Sequence, residues 1–218
     1  TIRGYWVVPK AKGVYPVTVT YMGYSSKPWC PEADARADRA EFVLSHRGQG
    51  LNESENKYGD WIRYGLADKH NYYYRGAFLD AVRAIDFVWS RPETNRDLIF
   101  VDGGSQGGAL TLVAASLDNR VAGAAPFVPF LSDYPDYFTL VDWPMWPVCE
   151  EAKILGISDE QMYQTLTYFD VKNFVEHIEC PVLMGFGLQD FVCPPHTNFA
   201  AFNNITTAKT WIVFPHAG

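Results

Sequence analysis

One serine lies between two pairs of glycines in the segment VDGGSQGG, which begins at Val101. An apolar run, residues 98–101, leads into it, and a helix-like run follows. Glycines flank a residue this closely when the backbone must adopt a conformation that a Cβ atom forbids. Gly103, Ser105 and Gly107 form the pattern G-x-S-x-G, in which a strand turns sharply into a helix and presents the serine hydroxyl at the top of a sheet. The segment therefore predicts a strand, a tight turn and a helix, with Ser105 as a candidate nucleophile.

The composition is that of a folded domain with a sizeable core, because 48% of the 218 residues are hydrophobic. We expect a single domain over residues 1–218. The formal net charge of −7, without any run of lysine and arginine, argues against a nucleic-acid partner. No apolar stretch reaches transmembrane length, so no membrane partner is expected. The chain begins at Thr1 without a signal-like segment, which predicts a missing N-terminal part and leaves the compartment open.

The cysteines indicate neither a metal site nor a disulfide framework. They are widely spaced and none forms C-x-x-C, so a zinc site is not expected. Their even number permits disulfides, but small buried thiols are the favoured interpretation. The four positions are Cys30, Cys149, Cys180 and Cys193.

Strand-like and helix-like segments alternate along the chain, which predicts an α/β fold. The predicted strands cover residues 14–22, 42–44, 97–102, 121–128, 181–187 and 209–214, and the predicted helices cover 72–89, 106–117, a capping-box segment from 158, and about 196–203. Residues 129–157 are rich in proline and tryptophan and are expected to be irregular. Such alternation predicts a mostly parallel sheet with helices on both faces, in which the site lies at the carboxyl ends of the strands.

Three further positions complete a candidate site. A serine hydroxyl becomes a good nucleophile when a base removes its proton, and the base is usually a histidine oriented by an acid. Asp190 follows the predicted strand 181–187, where an acid belongs, although a turn or helix-cap aspartate also fits. The backbone amides of Gln106 and Tyr24 are candidate donors to an oxyanion. Tyr24 alone also fits an ordinary half-buried aromatic residue.

Three segments resemble those of a known family. RGQG at 47–50, NYYYRGAFLDAVRAID at 71–86 and GGSQGG around Ser105 are similar to motifs of the acetyl xylan esterase and cephalosporin-C deacetylase family, carbohydrate esterase family seven. The resemblance extends over nearly the whole chain. It implies an α/β-hydrolase fold, assembly into hexameric rings, release of acetate from acetylated xylo-oligosaccharides and other small acetyl esters, and no cofactor or metal.

The resemblance also assigns roles to the candidate residues. It makes Ser105 the nucleophile, Asp190 the acid, and the amides of Tyr24 and Gln106 the oxyanion hole. Arg47 and Gln49 match the family's signature motif, which is expected to hold the loops of the site rather than to react.

The sequence departs from the family pattern at the base, because no His-Glu pair is present and the chain ends FPHAG. His216 directly follows the last predicted strand and is a candidate by position. Superposing residues 209–214 on the family's last strand instead places Gly218 just before the catalytic histidine. We therefore expect the base beyond Gly218, and we expect His216 to point away from Ser105 without a hydrogen bond to Asp190.

Alternatives to the esterase remain open at this point. They are another α/β-hydrolase, such as a peptidase or a lipase-like enzyme, and a non-catalytic hydrolase-fold module that binds a sugar or a partner. Trp143 and Trp146 fit stacking on a sugar ring, and equally fit core or subunit contacts. The four remaining histidines (His46, His70, His177 and His196) are expected to be surface or packing residues.

Overall fold

A computed structural model describes residues 2–32 and 37–217 of the chain. Within these residues one sheet contains seven strands: β1 (Arg3–Val7), β2 (Tyr15–Tyr21), β3 (Ala40–Ser45), β4 (Thr94–Gly104), β5 (Val121–Phe127), β6 (Val182–Gly187) and β7 (Lys209–Phe214). Their spatial order is β1-β3-β2-β4-β5-β6-β7. Only β1 pairs antiparallel, with β3, and the other neighbours are parallel. The predicted mostly parallel sheet is confirmed.

The helices lie between the strands, as the alternation predicted. They are α1 (Tyr73–Trp89), α2 (Gln106–Leu117), α3 (Tyr134–Leu140), α4 (Met145–Leu155), α5 (Asp159–Thr167) and α6 (Pro195–Asn204). Short 3-10 turns occupy residues 50–55, 171–173 and 175–177. The capping box at the start of α5 is confirmed, since Ser158 and Gln161 each bond the other's backbone amide.

Helix α2 lies at the centre of the fold, where it packs on β2, β4 and β5 and lies beside α1, which also contacts the sheet. Its residues from Gln106 to Ser116 are all buried, and many are glycine or alanine. Small side chains allow the helix axis to approach the sheet closely, and a helix buried on all sides has no polar face. The strand residues beneath it, such as Val17, Val19 and Val101, are fully buried and belong to the same hydrophobic cluster. The start of α2, and with it Ser105, is therefore held in a fixed position.

Three helices of the described residues, α1, α2 and α6, pack on one face of the sheet. Alternate strand residues point to the opposite face, where large apolar side chains are 37–47% exposed: Phe100, Phe127, Leu183, Ile212 and Phe214. The described residues that connect β2 to β3, 22–32 and 37–39, form turns and irregular structure.

The irregular segment predicted over residues 129–157 is wrong, because it contains α3 and α4. The prolines that suggested irregular structure lie in or before the first turns of these helices. Pro135 is the second residue of α3, Pro144 immediately precedes α4, and Pro147 is its third residue. The first turn of a helix tolerates proline because its amides have no partner within the helix.

Among the described residues, no helix combines the length and apolarity needed to cross a bilayer. All four cysteines are free thiols. Cys180 and Cys193 are buried, whereas Cys149 is half-buried and Cys30 is exposed. The expectation of buried thiols therefore holds for two of them.

Candidate active site

Ser105 occupies the turn between the last residue of β4 and the first residue of α2. Its backbone is in a strained conformation with φ 56° and ψ −120°, which costs on the order of 1–3 kcal/mol for a residue with a side chain. Two glycines allow this turn to lie against β2. A Cβ atom at Gly103 would lie 2.5 Å, and one at Gly107 2.0 Å, from the carbonyl oxygen of Tyr21. The elbow predicted from G-x-S-x-G is thus the observed geometry, and its glycines are required by close approach of the backbone.

The backbone of Ser105 is fixed from the neighbouring strand. Its amide donates to the carbonyl of Phe127 at the end of β5 (3.0 Å), and its carbonyl accepts from the amide of Phe130 (3.0 Å). These bonds support the strained turn on both sides. The hydroxyl group is consequently presented at the carboxyl ends of the central strands, where the sequence predicted the site.

The two candidate oxyanion donors are available. In residues 2–32 and 37–217, the backbone amides of Tyr24 and Gln106 donate to no other protein group. The amide of Gln106 is also the first of helix α2, so the positive end of the helix dipole adds to its attraction for an anion. Two unpaired amides near Ser105 are the kind of donors that an oxyanion hole requires.

Gln49 connects the two loops that carry these amides. Its side-chain oxygen accepts from the amide of Ser25 (2.9 Å), and its side-chain nitrogen donates to the Gln106 side chain (3.2 Å) and to the hydroxyl of Tyr73 (2.8 Å). Gln49 is 1% exposed, so these bonds are made without competing water. Tyr74 donates a further hydrogen bond to the Gln106 side chain (3.1 Å). Sequence analysis assigned Gln49 a supporting role but did not identify the tyrosines of α1 as its partners.

Arg47 joins the loop that contains Gln49 to helix α1. Its guanidinium donates two hydrogen bonds of 2.6 Å to the two carboxylate oxygens of Asp80. The side chain crosses α1 at Gly76, where a Cβ atom would lie 2.0 Å from a guanidinium nitrogen. Hydrogen bonding to Asp80 raises the pKa of Arg47. The ion pair ties the loop of Arg47 to helix α1, and the holding role of Arg47 in the site stays a prediction.

His46, next to Arg47, is a buried packing residue, as expected. Its Nε2 atom is 2.8 Å from the carbonyl oxygen of Met22, and its Nδ1 atom is buried without a partner among the described residues. Burial lowers the pKa of His46 to about 4. The ring is therefore neutral at pH 7, with the proton on Nε2 donated to the carbonyl of Met22, two residues before Tyr24.

Asp190 lies in the loop that follows β6, at the position predicted for the acid. Its Oδ1 atom accepts from the amides of Val192 (2.8 Å) and Cys193 (2.7 Å). These two bonds fix the carboxylate, while its Oδ2 atom takes no hydrogen bond within the described part of the chain. That free oxygen is what an acid needs in order to accept the N–H of an imidazole.

Cys193 also contacts Ser105, the candidate nucleophile, which was not predicted from the sequence. Its Sγ atom lies 3.7 Å from the Oγ atom of Ser105, and the residue is 2% exposed. Burial raises the pKa of the thiol to about 12. The thiol therefore stays protonated and adds no negative charge beside Ser105. A lone cysteine before two prolines gave no signal of this proximity.

No histidine in the described residues completes a triad. His46 bonds Met22, His196 lies 2.8 Å from Asp136, and His177 pairs weakly with Glu176. His216 is exposed and forms no hydrogen bond to Ser105 or Asp190. Gly218, which the sequence placed before the base, lies outside the described residues.

The segment after β7 is nevertheless attached to the acid loop. The carbonyl of Ala217 accepts from the amide of Gln189 (2.9 Å), and the carbonyl of Phe214 accepts from the amide of Leu188 (3.2 Å). Gln189 immediately precedes Asp190. The end of the described chain is thus held one residue away from the candidate acid.

Comparison with known proteins now adds to this geometry. A family model described as acetyl xylan esterase (AXE1) matches residues 1–218. The chain belongs to the acetyl xylan esterase family. Its α/β-hydrolase fold, expected from the resemblance, is confirmed by the solved structures that it matches.

Relatives in the acetyl xylan esterase family are found among curated proteins and solved structures. The chain is 31% identical over 229 residues to the acetyl esterase Axe7A of Xylanibacter ruminicola, in an alignment that covers 99% of this chain and 52% of that protein. It spans about half the length of that curated relative. An acetyl xylan esterase from a Paenibacillus species superposes with a TM-score of 0.91 at 35% identity, covering 100% of this chain and 75% of the other.

Two further solved structures show the difference between sharing the family and sharing the fold alone. Acetyl xylan esterase 1 from a Thermoanaerobacterium species superposes with a TM-score of 0.88 at 33% identity, covering 100% of this chain and 73% of that one. Acylaminoacyl peptidase from Pyrococcus horikoshii reaches a TM-score of 0.77 at 16% identity, covering 99% and 35%. At that identity the peptidase shares the fold alone.

One cluster of possible metal ligands is found in the described residues of this acetyl xylan esterase family member. Asp133, Asp136 and His196 bring ligand atoms within 4.8 Å of one another. However, Asp133 is already paired with the ammonium group of Lys172, and Asp136 with His196. The cluster is therefore occupied by an ion pair and a side-chain contact between Asp136 and His196, rather than being a set of free ligands.

Proposed function

We propose that this chain forms the catalytic domain of a serine esterase that removes acetyl groups from acetylated xylo-oligosaccharides or similar small acetyl esters. The observation that carries the proposal is the strained elbow at Ser105 beside two unpaired amides, those of Tyr24 and Gln106. Family membership supports the choice of acetyl ester. No cofactor is needed for this reaction.

In the proposed reaction Ser105 is the nucleophile. Its hydroxyl attacks the acetyl carbonyl while a histidine takes its proton. The negative charge that develops on the carbonyl oxygen is stabilised by the amides of Tyr24 and Gln106. The tetrahedral intermediate then collapses, the histidine protonates the departing sugar oxygen, and an acetyl-serine remains.

Water then regenerates the enzyme. The same histidine removes a proton from water, which attacks the acetyl-serine, and acetate leaves as Ser105 regains its proton. Asp190 orients the imidazole through its free Oδ2 atom and stabilises the charged ring. We propose that this histidine follows Gly218 in the parent protein. The hydrogen bond from Gln189 to Ala217 supports this position, because it holds the preceding segment beside the acid.

Substitution of Ser105 by alanine in the intact protein tests the nucleophile. Hydrolysis of p-nitrophenyl acetate should be abolished while the circular dichroism spectrum and melting temperature show a retained fold. Retained hydrolysis would overturn the assignment.

A covalent probe separates an esterase from a non-catalytic module. A fluorophosphonate should label Ser105 in the intact protein, and mass spectrometry should place the adduct on the peptide that contains it. Absence of labelling would favour the non-catalytic module. That alternative is motivated by the lack of a histidine beside Asp190 in the described residues.

The homo-hexameric ring implied by the family resemblance is proposed as the assembly. Sedimentation velocity on the intact protein tests it, and a monomer at micromolar concentration would contradict it.

A further inference from the structure

Trp143 is a half-exposed tryptophan whose ring is packed on two sides. It contacts the ring of Tyr24 edge-on at a centroid distance of 5.5 Å, and it stacks on Phe130 at 5.9 Å with 15° between the planes. The residue is nevertheless 42% exposed. Trp143 therefore exposes part of its apolar ring to solvent while two aromatic rings support it.

The neighbours of Trp143 connect it directly to the reacting groups. Tyr24 carries a candidate oxyanion amide. The amide of Phe130 donates to the carbonyl of Ser105. On a third side, the hydroxyl of Tyr137 donates to the carbonyl of Val192 (2.7 Å) and lies 3.5 Å from the carbonyl oxygen of Trp143. The amide of Val192 in turn bonds Asp190, so Trp143 lies where the oxyanion loop, the elbow and the acid loop meet.

The ring of Tyr24, which packs against Trp143, is itself held in place. The ring of Tyr24 packs against Trp61 at 5.0 Å, and its hydroxyl donates to the carboxylate of Asp60 (2.6 Å). A ring held in this way loses little freedom when a ligand packs on its neighbour. An apolar rim continues on the acid side, where Phe191 is 86% and Val192 is 49% exposed. Exposed apolar groups beside a site mark a ligand or partner surface.

We propose that the exposed face of Trp143 is the stacking platform for the pyranose ring of the alcohol part of the ester. The proposal rests on the proposed function. A pyranose has apolar C–H faces of about the size of one indole ring, and its hydroxyls can remain in water while one face packs on the tryptophan. The indole ring itself carries no charge, which suits a neutral sugar.

Two esters that share the acetyl group separate this role from catalysis. Acetylated xylobiose has a sugar leaving group, whereas ethyl acetate has none that could stack. In the intact protein, Trp143→Ala should raise KM for acetylated xylobiose by about 3- to 10-fold, the size expected for one aromatic contact. The KM for ethyl acetate should change much less, and Trp143→Phe should restore most of the difference.

Trp146→Ala is the matched control. Trp146 lies three residues along the chain, is 64% exposed and stacks on no aromatic ring of the described residues. Its substitution should leave the ratio of the two KM values unchanged. Equal increases for both esters in Trp143→Ala would overturn the platform, because they would indicate damage to the oxyanion loop.

Two further measurements test whether Trp143 binds a sugar or instead contacts another copy of the chain. Light scattering should show the same molar mass for Trp143→Ala and the wild type, and dissociation would instead make Trp143 a contact between copies of the chain. Calorimetric binding of unacetylated xylobiose should be detected in the wild type and lost in Trp143→Ala. If the wild type binds xylobiose but does not hydrolyse acetylated xylobiose, the proposed function is contradicted and the platform is supported. If the wild type does not bind xylobiose, the platform alone is overturned.

Discussion

The side-chain oxygen of Gln49 accepts a hydrogen bond of 2.9 Å from the backbone amide of Ser25. Ser25 has a positive φ of 56° and directly follows Tyr24, whose amide points to no protein acceptor in the described chain. The buried side-chain amide of Gln49 thus fixes the loop that carries Tyr24, the proposed oxyanion donor. If Tyr24 is an oxyanion donor, as proposed, the hydrogen bond from Ser25 to Gln49 helps to set the position of its amide.

Gln49→Ala should therefore lower kcat for p-nitrophenyl acetate by about 10- to 100-fold with a smaller change in KM. Loss of a whole oxyanion donor costs about 10²–10³-fold, and here the donor is misplaced rather than removed. Steady-state kinetics measure the effect, and Gln164→Ala, at an exposed position on α5, is the control. An unchanged kcat in Gln49→Ala would show that the Tyr24 loop holds its position without this bond.

Arg47→Ala should destabilise the fold by about 2–3 kcal/mol, since it leaves the carboxylate of Asp80 largely buried without its two charge-assisted bonds. Chemical denaturation measures the change in the free energy of unfolding. Arg83→Ala removes a much more exposed ion pair, with Asp86 on the same helix, and should cost less than about 1 kcal/mol. Equal losses in the two variants would contradict the holding role of Arg47.

Stability should fall as the pH is lowered from about 6.5 to about 4 because of His46. Its pKa is lowered by burial to about 4 in the folded protein, whereas an unfolded histidine titrates near 6.5. The unfolded chain then binds more protons than the folded one in this range, so the stabilisation is complete above pH 6.5 and is lost as the pH falls, by an amount on the order of 3 kcal/mol. Denaturation curves between pH 4 and 7.5 measure the trend.

His46→Gln provides the comparison for that pH series. Glutamine can still donate to the carbonyl of Met22 but does not titrate. The variant should lose stability less steeply with acid than the wild type, and parallel curves would exclude His46 as the cause.

Activity should fall sharply from acetyl to butyryl p-nitrophenyl esters. The buried thiol of Cys193 lies 3.7 Å from the Ser105 hydroxyl and restricts the space beside it. Each methylene that a pocket must accommodate or reject changes kcat/KM by about 10- to 200-fold. The acyl-chain profile of kcat/KM is the measurement, and a maximum at octanoyl would instead support the lipase-like alternative.

His216→Ala should retain activity in the intact protein, because His216 is exposed and bonds neither Ser105 nor Asp190. The kcat/KM for p-nitrophenyl acetate should stay close to that of the wild type, with Ser105→Ala as the inactive reference. A loss as complete as that of Ser105→Ala would identify His216 as the base.

Local signals account for what could be predicted from the sequence. The spacing of the glycines around Ser105 predicts the elbow, because the close approach of the backbone to β2 requires glycine there. The alternation of strand-like and helix-like segments predicts the strands around the elbow. The position of Asp190 follows from the order of elements. These features depend on neighbours in the chain, so a single sequence displays them.

What could not be predicted depends on contacts between distant segments. The approach of Cys193 to Ser105 joins two loops that are 88 residues apart, and no local pattern records it. The partners of Gln49 come from β2's loop and from α1. Prolines in the segment 129–157 suggested irregular structure, since sequence alone did not show that they belong to first turns of helices.

The path of Arg47 across Gly76 has an evolutionary consequence. A mutation that gave residue 76 a side chain would collide with the guanidinium, and it could be accepted only after Arg47 had been lost or moved. Exchange of Arg47 for a shorter residue would in turn remove the reason for keeping glycine inside a helix, where it costs about 1 kcal/mol relative to alanine. The two positions should therefore change together in descendants of this sequence, and an arginine with a glycine at this spacing is a pair by which remote relatives can be recognised.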